Sequence, residues 1–343
     1  MRVDSYTEVH RYDGAVLDRG KRDQLVPCAV RARDVSIVRD VWRYKFLTSS
    51  QLLELWWPGR PPQAGSRRLL KLHRAGYLDR FRPISRHGSY AWTYQLGAEG
   101  HRLLQRAGTI APGARFARRE IYDYGHVLHD LQLNAWVIAY RRTLGRALLA
   151  WDGETDIHPP AHARRDQLRL DDDWSAEGLR HRDPRPLRPD AMLDIARGDS
   201  EQGSRLFLIE HDRTRRIDKN YDKLRRYDAF LCWWWAHSQL ERATDGPWVL
   251  FICQDEIQRD AFLDAADREL TGHRWHPSAA PTDYVYLGRR RILFAAERDI
   301  HAGRLEARRV PAFPPGRPAR HGEYAQVGRV RLPGPQPARV RVA

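Results

Sequence analysis

The chain has 343 residues, enough for about two domains with cores of their own. Its 59 Lys and Arg outweigh 44 Asp and Glu for a formal net charge of +15, which points to a polyanionic partner. Cys28, Cys232 and Cys253 are scattered without a CxxC pair, which argues against a disulfide framework or a zinc site. The most apolar run, Ala229 to Ala236, falls far short of the ~20 residues of a membrane span, so a cytoplasmic protein with no membrane partner is expected.

Residues 1–30 show no hydrophobic period and read as a flexible lead. From Arg33 onward Val35, Val38, Val41 and Trp42 recur at helical spacing. Thr48 followed by Gln51 is a capping box, opening a second helix filled by Leu52, Leu53, Leu55 and Trp56. Pro58 to Gly65 breaks the chain before a third helix, Ser66 to Arg74, with Leu69, Leu70 and Leu72 inward and Arg67, Arg68, Lys71 and Arg74 outward. Tyr77 to Phe81 and Tyr90 to Leu96 then flank a turn at Arg86-His87-Gly88-Ser89. Helix, helix, basic helix and hairpin over residues 31–108 describe a winged helix-turn-helix, whose third helix enters the major groove while the wing touches the backbone. Arg67, Arg68, Lys71 and Arg74, with Arg82, Arg86 and His87 in the wing, are therefore the expected contacts to double-stranded DNA. Winged helices also serve in protein recognition, and it is the basic third helix that favours DNA.

Gly108 to Gly113 is a linker, and residues 114–300 are expected to form a second domain. It begins with a long helix over Arg115 to Tyr140 anchored by Leu128, Leu131, Leu133, Trp136, Val137 and Tyr140, on which His126 and His129 lie one turn apart. A strand at Leu148 to Ile157 follows, then a stretch over 159–186 that has no apolar period and reads as a mobile loop. Arg205 to Glu210 and Trp248 to Cys253 are buried strands, Glu256 to Leu270 a helix, and Tyr284 to Leu287 and Arg291 to Phe294 the closing strands. Residues 309–343, with Pro and Arg throughout, read as a basic disordered tail.

The densest chemistry lies between Arg188 and Tyr227. Asp190 opens one strand, Glu210 ends another, and the helix after it carries Lys219 and Lys223 at i and i+4. A phosphodiester-cleaving site needs a hard divalent cation, which takes oxygen ligands from one or two carboxylates and keeps its waters. Asp190 and Glu210 are the candidate metal ligands, with Mg2+ or Mn2+ as the expected ion, and a lysine would neutralise charge developing on the phosphate. Only five of the 59 basic residues are lysine and two of them fall here, where a compact ammonium and a guanidinium are not interchangeable. An ordinary solvated α/β surface would show the same charges as exposed helix pairs, Asp218 with Asp222 and Lys219 with Lys223.

Over roughly Asp34 to Leu293 the chain resembles the plasmid replication-relaxation family. The matching residues are Leu47-Thr48 before Gln51-Leu52, Arg67-Arg68-Leu69 with Leu72, and Gly76-Tyr77-Leu78; then His126, His129-Asp130-Leu131, Glu154, Pro189-Asp190-Ala191, and Leu208 to Thr214 running to Lys223 and Tyr227. The resemblance implies an α+β protein in which a winged helix precedes a restriction-endonuclease-like mixed sheet with flanking helices, of the PD-(D/E)xK type. It implies a role as catalytic residues for Asp190, Glu210, Lys219 and Lys223, with Glu154 as a third carboxylate. A standard nuclease of that type has lysine two residues after the strand glutamate, and that position here is Asp212. Two outcomes therefore stand: a metal-dependent nuclease or nickase acting for a mobile element, or a noncatalytic DNA-binding or transcription regulator on a decayed nuclease fold. The expected partners are double-stranded DNA and, as a homodimer, a second copy of the chain.

Overall fold

The computed structural model describes residues 17–20, 22, 24–85, 88–121, 124–145, 148–153, 187, 189–196, 204–212, 218–235, 246–270, 273–274, 284–285, 287–311 and 328–333. The chain divides into two compact units, residues 1–138 and 139–343, and its class is α+β.

The first unit runs β1 (Leu17–Arg19), α1 (Ala32–Arg43), β2 (Leu47–Thr48), α2 (Ser49–Trp56), α3 (Pro62–Arg74), β3 (Leu78–Ser85), β4 (Gly88–Ser89), β5 (Thr93–Leu96) and α4 (Ala98–Arg106). α1 buries Ile37, Val38 and Val41, the stripe that its periodicity requires. The capping box forms as expected: Gln51 N–H donates to Thr48 Oγ1 at 3.1 Å and Thr48 N–H to Gln51 Oε1 at 2.9 Å. α3 starts at Pro62, four residues before the expected Ser66, because proline is at home in a first turn, where its missing N–H costs nothing. Gly65 is buried against Leu53 and Trp57, so closely that a side chain there would collide with both. The Pro and Gly that read as a chain break are thus a helix start and a close helix crossing.

β5 lies between β3 and β2, with β1 on the other edge of β3. This corrects the flexible lead for residues 17–19, which pair antiparallel with Phe81 to Pro83. Arg22 then ion-pairs with the Asp79 carboxylate and donates to the His73 carbonyl at 3.0 Å, closing off the end of α3. A lone acid on a strand gives no sequence period, so the clamp was invisible to pattern reading.

α5 (Tyr124–Leu144) crosses the boundary between the units. Tyr124, Val127 and Leu131 pack with Phe46 and Phe81. Gln51 donates to the Leu131 carbonyl at 2.7 Å, and the Asn134 amide donates to the Tyr44 and Phe46 carbonyls at 2.9 and 2.7 Å. The front of the helix expected to open the second domain is therefore part of the first unit's core, and the helix begins at Tyr124 rather than Arg115.

The second unit contains β6 (Leu148–Gly153), β7 (Ala191–Ala196), β8 (Ser204–Asp212), α6 (Asp218–Ala229) with a π-helical continuation over Phe230–Trp234, β9 (Trp248–Cys253), α7 (Glu256–Glu269), β10 (His273–Arg274), β11 (Tyr284–Val285), α8 (Leu287–Arg291), β12 (Ile292–Ala296), α9 (Glu297–His301), β13 (Glu306–Arg309) and β14 (Gly328–Arg331). Seven strands form one mixed sheet in the order β14-β13-β12-β9-β8-β7-β6. β8, β9 and β12 are parallel neighbours, and the outer pairs are antiparallel. Parallel strands need crossover helices, supplied by α6 and α7, and both pack on the same sheet face through Leu224, Tyr227, Phe230, Phe262 and Leu263. β9 and β12 are apolar and buried almost throughout rather than alternating, as interior strands covered on both faces are.

Tyr284 and Val285 pair with β10 in a separate two-stranded ribbon and are not closing strands of the main sheet. The disordered-tail reading fails for residues 328–331, which extend the sheet as β14; Leu332 is buried after it, and the Tyr140 hydroxyl donates to the Pro333 carbonyl at 2.9 Å. A four-residue strand in a Pro- and Arg-rich context carries no apolar period to announce it. The expected loop at 159–186 lies outside the described residues.

Candidate functional site

Two regions gather the residues singled out by the sequence. On the first unit, Arg67, Lys71 and Arg74 recur at four and three residues, are exposed, and form one face of α3. The opposite face buries Leu69, Leu72 and His73. Arg68 does not join the exposed set. Its guanidinium donates to both oxygens of the fully buried Asp34, one at 2.8 Å, and to the Ala29 carbonyl at 2.7 Å. Burial pushes the Asp34 carboxyl up, but the bonds from Arg68 and from the Arg31 N–H outweigh burial and hold it below the ordinary carboxylate value. Arg68 is thus an internal counter-charge joining α3 to α1. On β3, Arg80 and Arg82 lie 4.0 and 4.3 Å from the Trp92 ring, a cation–π arrangement that immobilises both guanidiniums. Arg86 and His87 lie outside the described residues.

On the second unit the cluster is built at the carboxyl end of β8, the end of a parallel strand where ligand sites of open α/β sheets occur. Asp190 immediately precedes β7 and is fastened on either side of Glu210: its N–H donates to the Ile209 carbonyl at 2.9 Å, and its Oδ2 accepts from the His211 N–H at 2.8 Å. Glu210 is 1% exposed. α6 returns over it and delivers two donors from positions i and i+4, Lys223 Nζ to Oε2 and Tyr227 Oη to Oε1. Asp212 shares the strand face of Glu210 and adds a negative field at Lys223.

Burial pushes the Glu210 carboxyl up to about 7, and the Asp190 charge adds to the push, while Lys223 and Tyr227 pull it back. For Lys223, burial draws the ammonium down, but Glu210 and Asp190 outweigh it and leave the group above the ordinary lysine value. Burial and then the Glu210 charge hold the Tyr227 phenol well above its usual range, so it remains a protonated donor.

Among the described residues, no group of three or more His, Cys, Asp or Glu converges as a closed metal site. The donor set here is of another kind, the two hard carboxylates of Asp190 and Glu210 beside one cation, the Lys223 ammonium. Asp190 and Glu210 are the residues here that could hold an ion that takes one or two protein carboxylates and keeps its waters.

Of the residues expected at the site, Asp190, Glu210 and Lys223 are thus brought together. Lys219 lies one turn before Lys223 on α6, its side chain outside the described set, and Glu154 is outside it altogether. His129 is beside Asp130, with Nδ1 3.7 Å from Oδ1, and Asp130 also pairs with Lys45 at 3.5 Å. Tyr227 was not among the candidate site residues. The i+4 spacing from Lys223 was the signal, since it places the phenol on the same helix face.

The elements and the cluster define a two-unit α+β protein: helices and an antiparallel hairpin that include a basic helix face, then a mixed sheet with a carboxylate–lysine cluster at the carboxyl end of the interior strand β8. A family model described as replication-relaxation matches residues 38–245, well over half of the chain, and the chain belongs to that family. No curated protein and no solved structure matches it significantly. Among the described residues, no helix is long and apolar enough to cross a membrane.

Proposed function

We propose that the protein binds double-stranded DNA through the α3 face of its first unit, and that Asp190, Glu210 and Lys223 form a restriction-endonuclease-like site for Mg2+- or Mn2+-dependent phosphodiester cleavage, acting in the replication or mobilisation of a mobile element. The observation that carries this reading is that Lys223 reaches Glu210 from α6. The lysine missing at position 212 is replaced in space by one from the next helix.

The order α1, β2, α2, α3, β3, β5, with β2 hydrogen-bonded to β5, supports the winged-helix reading of the first unit. Arg67, Lys71 and Arg74 would then meet phosphates or base edges in the major groove, while Arg68 and Asp34 hold the helix in place.

A bound divalent cation would supply Lewis acidity at the phosphate and acidify a coordinated water. The chain supplies the rest. Asp190, pinned by the His211 N–H, and Glu210, pinned by Tyr227, present oxygens at a fixed edge. Lys223 offers an ammonium that stays charged at neutral pH, to neutralise the pentavalent phosphate or to orient the attacking water. The competing reading, a noncatalytic DNA-binding protein, is favoured by Asp212 and by the engagement of both Glu210 oxygens within the protein. Incubating the protein with supercoiled plasmid and Mn2+ separates the two: nicked or linear product that EDTA abolishes supports the nuclease, and intact plasmid with duplex binding retained supports the regulator. Sizing the DNA-bound species in the same experiment tests for a homodimer.

A further inference from the structure

The buried end of α6 assigns Tyr227 a task that packing alone does not require. Its ring is fully buried and meets Phe251 edge-on, with centroids 6.0 Å apart and planes at 86°. Phe251 in turn stacks on Phe294 at 5.4 Å, so the ring stands on a rigid aromatic row. Phenylalanine would fill that space equally well. What tyrosine adds is a hydroxyl, buried and aimed at an equally buried carboxylate. An acid and a phenol both removed from water are an expensive pair to keep in a core, where apolar residues of the same volume are commonly neutral or stabilising.

Geometry shows what the pair accomplishes. A carboxylate on a glutamate stem can turn about its last torsion, a broad and soft one. Tyr227 occupies Oε1 and restrains that torsion, leaving Oε2 as the oxygen presented to Lys223. The two donors are unequal. Lys223 is one-third exposed on a flexible stem and can be displaced by a cation; Tyr227 is locked in the core and cannot.

We infer that Tyr227 is a positioning residue, whose hydroxyl holds the Glu210 carboxylate so that one defined oxygen faces the cation position. This rests on the cation-site reading proposed above. Outer hydrogen-bond partners of metal ligands of this kind commonly alter metal affinity by about 10–100-fold.

The test is calorimetric titration of the full chain with Mn2+ alone, no DNA present, for the wild type, Glu210→Gln, Tyr227→Phe and Phe251→Leu, each with a thermal midpoint. Wild type should bind Mn2+ and Glu210→Gln should not. Tyr227→Phe should bind about tenfold more weakly with a midpoint close to wild type. Phe251→Leu loosens the ring's support but keeps the hydroxyl, and should lose thermal stability while keeping most of the affinity. Tyr227→Phe with wild-type affinity overturns the inference and leaves the cation site standing. So does an equal affinity loss in Phe251→Leu, which would make the effect one of packing. Wild type that binds no Mn2+ in a Glu210-dependent way removes the cation site and this inference together.

Discussion

A carboxyl that burial pushes up to about 7 makes Glu210 a liability to folding as well as a residue of the proposed site. Its folded value lies above its unfolded one, so the native state binds the extra proton between roughly pH 4.5 and 7, and stability falls as pH rises through that window. Raising the pH from 5 to 8 should therefore cost wild type roughly 1–3 kcal/mol more than it costs Glu210→Gln in urea titrations. Equal pH dependence would show that Lys223 cancels the burial penalty outright. The Asp34–Arg68 pair behaves in the opposite sense. Asp34 is held low, so its contribution is present at neutral pH and is lost as the pH falls through its folded value. Arg68→Ala strands a buried carboxylate and should destabilise by about 3–5 kcal/mol, whereas Arg67→Ala, exposed, should leave the unfolding midpoint nearly unchanged. Arg67 and Arg68 look alike in sequence because they are adjacent arginines on one helix. Only the partner, 34 residues upstream, tells them apart, and no periodicity encodes it.

At the scale of elements, the proposed function rests on helix faces, and helix faces were the most legible part of the chain. The spacing of Arg67, Lys71 and Arg74 matches the exposed face of α3, although Arg68 was counted with them, and on α6 the expected pair was Lys219 with Lys223, whereas the face that meets Glu210 carries Lys223 and Tyr227. Replacing Arg67, Lys71 and Arg74 together by Ala should lower the slope of log affinity against log salt by about 2–3 on duplex DNA, since each phosphate neutralised contributes about 0.9. An unchanged slope would remove α3 from the interface. Edges and starts were less legible. β14 lacks an apolar run and exists because β13 offers it a free edge, and α3 begins at a proline that pattern reading treats as a stop.

At the scale of the molecule, the division into two units was expected, but the long helix was assigned wholly to the second. Asn134 caps carbonyls of the α1–β2 turn, and Leu131 shares a core with Phe46 and Phe81, contacts between residues some 90 positions apart that local periodicity cannot register. A fragment ending at residue 108 should consequently expose Phe46 and Phe81 and melt less cooperatively than one ending at 144; equal melting curves would return α5 to the second unit alone. The convergence of Asp190, Glu210 and a helix lysine was legible, because acids at the ends of apolar strands and a lysine pair on a helix survive as sequence signals. The choice of lysine was not, since it depends on how α6 turns back over β8. The most direct test of the account is cleavage of supercoiled plasmid in Mn2+ by wild type, Asp190→Ala, Glu210→Ala and Lys223→Ala, with duplex affinity measured in parallel. Nicking by wild type, its loss in all three variants, and duplex binding kept in all four are the predicted results. Cleavage that survives Lys223→Ala, or plasmid left intact by wild type, would contradict it.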